Sequence, residues 1–201
     1  MKTYVIRNTP DIDSAQFDRV DCWPWGFDYE PKTLFRAVHT DECIKVSLRC
    51  YEKDPYAGVT KTGGYVCNDS CMEFFITPSA DNSLGYFNFE MNSNPTYLLE
   101  YGYSHEKKHQ LVEWDESEYA LRTTYGEDEG EAYWQVDFEI PYGMIKKYAP
   151  EASLESGSVM RGNVYKCGRH QQPEHYGTWN LVETETPNFH KSEYFGKFIL
   201  E

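Results

Sequence analysis

No apolar run in this 201-residue chain approaches the length a helix needs to cross a bilayer. The opening, Met1-Lys2-Thr3-Tyr4-Val5-Ile6-Arg7-Asn8, also lacks the apolar stretch of a secretory leader, which predicts a cytoplasmic protein with no membrane partner. Cations are scarce: 19 Lys and Arg stand against 33 Asp and Glu, a formal net charge of -14. A field of that sign repels polyphosphates and argues against nucleic acid, while it suits a neutral ligand or calcium. There is no Gly-rich phosphate loop and no G-x-S-x-G turn, so nucleotide binding and serine hydrolysis have no support. No segment sustains a 3.6-residue apolar period, so helices are expected only as one or two short connectors.

Cysteine is present without a framework. Cys22, Cys43, Cys50, Cys67, Cys71 and Cys167 are spread over a chain long enough to rely on its core, so free thiols are expected. Cys67 and Cys71 are four apart, with no second pair and no histidine at zinc spacing, so the spacing predicts no zinc site. His170, His175 and His190 gather near Glu174, again without strong metal-ligand spacing, and His190 reads as a backbone-bonded turn residue. Arg161, Lys166 and Arg169 form a small basic group whose plainest use is ion pairing with nearby glutamates.

What is abundant is aromatic. The chain carries 17 Tyr, 11 Phe and 5 Trp, more than a core of this size usually requires. Exposed rings with a polar handle suit the C–H faces of pyranose sugars, although strands also favour Tyr and Phe for packing alone. The total of 40% hydrophobic and 26% charged residues is that of an ordinary globular protein.

The dominant period is two, the signature of strands with one buried face. Ile44, Val46, Leu48 and Cys50 share one side of a strand, with Lys45, Ser47 and Arg49 on the other. Met72, Phe74 and Ile76 oppose Cys71, Glu73 and Phe75; Phe87, Phe89 and Met91 oppose Tyr86, Asn88, Glu90 and Asn92. A hairpin across the Ser79 to Gly85 turn brings Glu73 and Glu90 to the same face. Trp134, Val136, Phe138 and Ile140 form another buried row, ended by Pro141, which lacks an N–H. Tyr142 to Tyr148 allows two helical turns, and Leu121 to Tyr125, Met160 to Cys167 and Lys197 to Leu200 read as further strands. The run Glu127-Asp128-Glu129-Gly130-Glu131 reads as a solvated hairpin turn. The pattern predicts one all-β domain over residues 1–201, a two-sheet antiparallel β-sandwich of jelly-roll or immunoglobulin-like topology.

Four stretches carry a resemblance to the family 9 carbohydrate-binding modules: Asn68 to Ile76, Tyr86 to Asn92, Trp134 to Pro141, and Gly162 to Gly168 with Tyr176-Gly177-Thr178-Trp179 and Pro187 to Gly196. The resemblance implies a DOMON-like β-sandwich that binds glucan- or xylan-type sugars without catalysis, often with structural calcium. It implies Trp179 as the stacking ring, Glu73 as the acceptor of sugar hydroxyls, and further contacts from Glu90 or Asn92 and from Asn163 or Tyr165. Where the pattern has a second tryptophan before Glu73, this chain offers Tyr65, with Tyr56 further back. Calcium would come from Asp11-Ile12-Asp13, Asp18 to Asp21, Asp81-Asn82 or the acidic run; the plain reading of all four is turn formation. The residues leave open that Trp179 only caps the core, that Glu73 and Glu90 form a glycosidase pair, that the histidines serve a metal-dependent enzyme, and that the sandwich is a protein interface with no small ligand.

Overall fold

A computed structural model describes residues 1–103, 109–171 and 173–201. Among the described residues thirteen strands form, in the order β1 (Thr3–Asn8), β2 (Asp18–Val20), β3 (Thr33–His39), β4 (Cys43–Cys50), β5 (Cys71–Thr77), β6 (Tyr86–Asn92) and β7 (Tyr97–Gly102), followed by β8 (Gln110–Leu111), β9 (Arg122–Asp128), β10 (Glu131–Pro141), β11 (Val159–Gly168), β12 (His175–Thr178) and β13 (Gly196–Leu200). The α-helix among the described residues, α1 (Tyr142–Tyr148), follows Pro141, whose ring ends the ladder of β10.

The alternation fixes which side of each strand is buried. Ile44, Val46, Leu48 and Cys50 of β4 face Trp134, Val136, Phe138 and Ile140 of β10 in antiparallel register, and all eight are buried. Met72, Phe74 and Ile76 of β5 lie beside Met91, Phe89 and Phe87 of β6. The two groups meet through their rings: Phe138 lies 6.3 Å from Phe74 and 5.5 Å from Phe89. Each such buried side chain contributes about 1.5 to 3 kcal/mol through removal from water. At the tip of the β9–β10 hairpin, Glu129 and Gly130 both take positive φ, +51° and +84°, so the acidic run is a turn as expected.

The all-β expectation holds, with the two facing groups of strands continuous at one edge. They form one curled sheet, ordered β8-β7-β6-β5-β11-β13-β1-β3-β4-β10-β9, with β12 beside β11 and β2 beside β3. The join is β1. Its first residues pair with β13, Thr3 opposite Lys197 through Ile6 opposite Leu200, and its last two pair with β3, Arg7 opposite Val38 and Asn8 opposite His39. Both pairings are parallel. Parallel neighbours need long crossover connections, and here most of the chain separates β1 from β13.

Candidate functional site

The sheet face opposite the main core carries the polar rows of β5, β6 and β11. Their register sets Glu73 directly opposite Glu90 on one side and Tyr165 on the other, and Cys71 opposite Asn92 and Cys167. Segments from elsewhere in the chain cover much of this face. Phe195 and Val66 help bury Phe75 and Tyr86, and Phe189 lies flat on Tyr165 with ring centroids 4.1 Å apart. Trp25 anchors the chain around Phe189 through an indole hydrogen bond to the Thr184 carbonyl, 2.9 Å, and a ring contact with Phe189.

Between these covers the sheet remains open. A cavity of about 650 Å³ has Glu73 and Glu90 among its lining residues, with Tyr65, Tyr176 and Phe27 as aromatic walls and Arg169, Glu100, Asn188, His109 and His190 as polar ones. Tyr65 is the most exposed of these rings, 72% accessible, and sits just before the 3₁₀ turn at 66–68 that leads into β5. Its volume lies within the range of roughly 300 to 1,000 Å³ typical of small-ligand pockets.

Glu73 and Glu90 are held in the protonated direction. Burial pushes Glu73 well above the usual carboxylate range, and the neighbouring Cys167 and Glu90 push the same way. The Cys167 thiol donates to Glu73 Oε1 at 3.2 Å. Burial likewise lifts Glu90 to about 7; the Asn88 amide, donating to Glu90 Oε1 at 2.8 Å, opposes the rise and Glu100 adds to it. Tyr86 OH lies 2.9 Å from His190 Nδ1, and the His109 and His190 rings meet edge to face.

Of the sequence-derived candidates, the fold brings Glu73, Glu90 and Tyr65 together at the cavity. It removes the other four. Trp179 is fully buried in the main core, stacked on Phe198 at 5.2 Å and edge-on to Phe35, with its indole N–H donating to Asp18 Oδ2 at 2.9 Å. Its ring occupies the space left by Gly196, where a Cβ would come within 2.5 Å. Trp179 is therefore a packing residue, not a surface for a ligand. Asn163 is buried and locks the chain after β12, donating from Nδ2 to Asn180 O and accepting from Asn180 N, both at 2.8 Å. Asn92 donates to Val59 O and Asp69 Oδ2, both at 2.8 Å, and accepts from the Asn94 and Thr96 amides. Tyr165 is covered by Phe189 and donates to its carbonyl at 3.0 Å.

The basic group does not form. Arg161 donates to the Phe195 and Gly196 carbonyls, Arg169 reaches the cavity, and Lys166 points into the interior. Buried Lys166 lies 3.4 Å from Glu52 and donates to Ser70 Oγ at 3.1 Å and to His175 Nε2 at 2.7 Å. An ammonium needs an acceptor, so His175 is neutral, with its other nitrogen 2.9 Å from Pro173 O. Burial, with Lys166 adding to it, lowers His175 to about 4. Burial alone would raise Glu52, but Lys166, Ser70 and Trp134 bring it down to about 2. His170, His175 and His190 thus point to three different surroundings, and His190 meets a tyrosine hydroxyl instead of only backbone.

In the loops considered for calcium, most acidic side chains have turn or ion-pair partners within the chain. Asp13 pairs with Arg36, Asp11 accepts from the Asp13 amide, Asp18 holds the Trp179 indole, and Asp21 pairs with Lys2. Asp81 accepts from the Ser83 amide, Asn82 donates to Ser192 O, and in the acidic run Asp128 pairs with Arg49 and Glu131 with Lys32. Most of these carboxylates serve a turn or pair with a cation, while Asn82 Oδ1 is buried without a hydrogen-bond partner.

The residues that sequence reasoning missed are Tyr176, Phe27, Arg169, Glu100, Asn188 and His109. They come from loops and edge strands without periodicity, and only the neighbouring Phe-His stretch in the C-terminal segment marked that region.

The family model described as Carbohydrate-binding family 9 matches residues 6–200. A crystal structure of a candidate carbohydrate-binding protein from Bacteroides uniformis ATCC 8492 superposes with a TM-score of 0.81 at 24% identity, covering 100% of this chain and 99% of that one. Two structures of a family 9 carbohydrate-binding module from Caldicellulosiruptor kristjanssonii are similar at 12% identity over 100% of this chain. The one in complex with glucose has a TM-score of 0.62 with 96% of its chain covered, and the one with cellotriose 0.64 with 94%. No curated protein matches the sequence.

Proposed function

Because the chain belongs to carbohydrate-binding family 9, we propose that the cavity above Glu73 and Glu90 binds a neutral, gluco-configured mono- or oligosaccharide without turning it over. The observation that carries this reading is the meeting of an exposed ring, Tyr65, with two carboxyls set side by side on neighbouring strands at one opening. A sugar needs both: a flat apolar surface for its C–H face and acceptors at hydroxyl spacing. Arg169 and Asn188 add donors at the same cavity. The glucose and cellotriose held by the similar structures support the choice of a glucan over a xylan.

Binding without catalysis fits the placement of the two carboxyls. Glu73 is 2% exposed and engaged by the Cys167 thiol, which leaves little of it to protonate a leaving group or attack an anomeric carbon. Glu90 is the freer acceptor, and its affinity for hydroxyls increases as it ionises, because charge-assisted hydrogen bonds are the stronger ones.

Isothermal titration with glucose, cellotriose and xylotriose tests the proposal. Binding of the gluco-sugars is expected in the wild type, and Tyr65→Ala is expected to cost about 1.5 kcal/mol, roughly tenfold in affinity. Aryl glucosides are expected to survive incubation unchanged. Absence of heat with all three sugars, or full affinity in Tyr65→Ala, overturns the reading, and turnover of an aryl glucoside that Glu73→Gln abolishes replaces it with a hydrolase.

A further inference from the structure

The floor of the cavity holds a second arrangement, which shares Glu73 with the proposed sugar site. Cys71 and Glu73 are two apart on β5 and so share one face, and Cys167 is directly opposite Cys71 on β11. The two thiol sulfurs and a carboxylate oxygen lie within 4.8 Å of one another, all three side chains buried, and among the described residues this is where three such donors converge. Glu73 and Cys167 also line the open cavity, so the cluster has an entry path, and Cys67 lines it beside them.

We propose that Cys71, Glu73 and Cys167 form a mononuclear site for a thiophilic divalent cation of the zinc class, with the fourth position open to the cavity. Tetrahedral zinc holds sulfur at about 2.3 Å and carboxylate oxygen at about 2.0 to 2.2 Å, which places neighbouring donors roughly 3.5 to 3.8 Å apart. The observed limit of 4.8 Å, and the 3.2 Å from Cys167 Sγ to Glu73 Oε1, bracket that spacing, so small side-chain rotations suffice. Two thiolates select against calcium and magnesium, which take oxygen donors. Three anionic ligands leave one negative charge in excess of the cation, and the positive charges nearby are Arg169 at the cavity and Lys166, which is shared with Glu52 and donates to the Cys167 carbonyl at 2.9 Å. On binding, the two thiols and the carboxyl give up their protons to solvent, and no oxidant or reductant is needed.

Cobalt(II), added alone to the fully reduced protein, is the probe. One equivalent is expected to produce thiolate-to-cobalt charge-transfer absorption together with the visible bands of a tetrahedral site, and one equivalent of zinc is expected to bleach both. Cys167→Ser is expected to abolish the charge-transfer band, whereas Cys43→Ser, remote from the cluster, leaves it intact. If Cys167→Ser does not fold by near-ultraviolet circular dichroism, Glu73→Gln keeps the shape and is expected to weaken cobalt binding by about 100-fold. A reduced wild type without the charge-transfer band, a band that persists at full strength in folded Cys167→Ser, or an unchanged cobalt affinity in Glu73→Gln overturns the site. Neither result depends on whether sugar binds.

Discussion

At Trp179 the ring that looked most suited to a sugar is committed to the core, between Phe198 and Phe35. Truncating it removes a large, fully buried side chain, so Trp179→Ala is expected to cost about 3 to 5 kcal/mol in urea unfolding, while the milder Trp179→Phe keeps the gluco-sugar affinity of the wild type. A loss of sugar affinity in a stable, folded Trp179→Phe would return that ring to the site. Titration provides a second residue-level test. Glu90 rises from 4.5 to about 7 on folding, so the stability it contributes is complete below pH 4.5 and is lost as pH climbs toward 7. His175 falls from 6.5 to about 4, so its neutral form contributes stability that is lost as pH drops from 6.5 toward 4. The two slopes oppose each other between pH 4.5 and 6.5, and Glu73 adds to the Glu90 side. In Glu90→Gln the slope of unfolding free energy against pH over that window is expected to become more positive by up to about 1.4 kcal/mol per pH unit. An unchanged slope would mean that Glu90 ionises normally in the fold.

Among the elements, β11 departs most from a simple apolar pattern, since Lys166 lies on the inward row with Met160 and Val164. That lysine is tolerated because Ser70, the Cys167 carbonyl and His175 accept its hydrogen bonds and Glu52 supplies the counter-charge. Glu52→Gln removes the counter-charge and leaves a buried ammonium, so a loss of about 3 to 5 kcal/mol is expected. Lys166→Met added to Glu52→Gln is expected to recover part of it, measured as urea midpoints of the single and double variants. No recovery would show that Glu52 acts through Trp134 and Ser70 and not through the ion pair. Alternating apolar and polar residues made β4, β5, β6, β10 and β11 readable, together with α1 after Pro141, even though both faces of β5 and β6 are buried. β3 was not, because Leu34, Phe35, Ala37 and Val38 put apolar side chains on both of its faces, and six of its seven residues are buried.

For the whole molecule, closure depends on β1, which joins the half containing β5, β6 and β11 to the half containing β4 and β10. Removing residues 1–8 exposes the edges of β13 and β3 together and uncovers the core around Phe35 and Phe198. The truncated chain is expected to lose its cooperative thermal transition and to elute as aggregate in gel filtration. A monomeric chain that still melts cooperatively would show that the facing cores alone hold the halves together. The same long-range pairing creates the proposed cation site: its ligands lie 94 residues apart in the chain, on neighbouring strands, which is why motif spacing around Cys67 and Cys71 pointed away from zinc.

By itself, the sequence determined the all-β class, the inward rows of the main strands, the free thiols and the shared face of Glu73 and Glu90, because all of these follow from local alternation and composition. Only the tertiary structure decided which ring meets water. Burial is a property of what lies over a side chain, and the covers, Phe189 over Tyr165 and Phe198 against Trp179, arrive from distant parts of the chain, leaving Tyr65 at the opening.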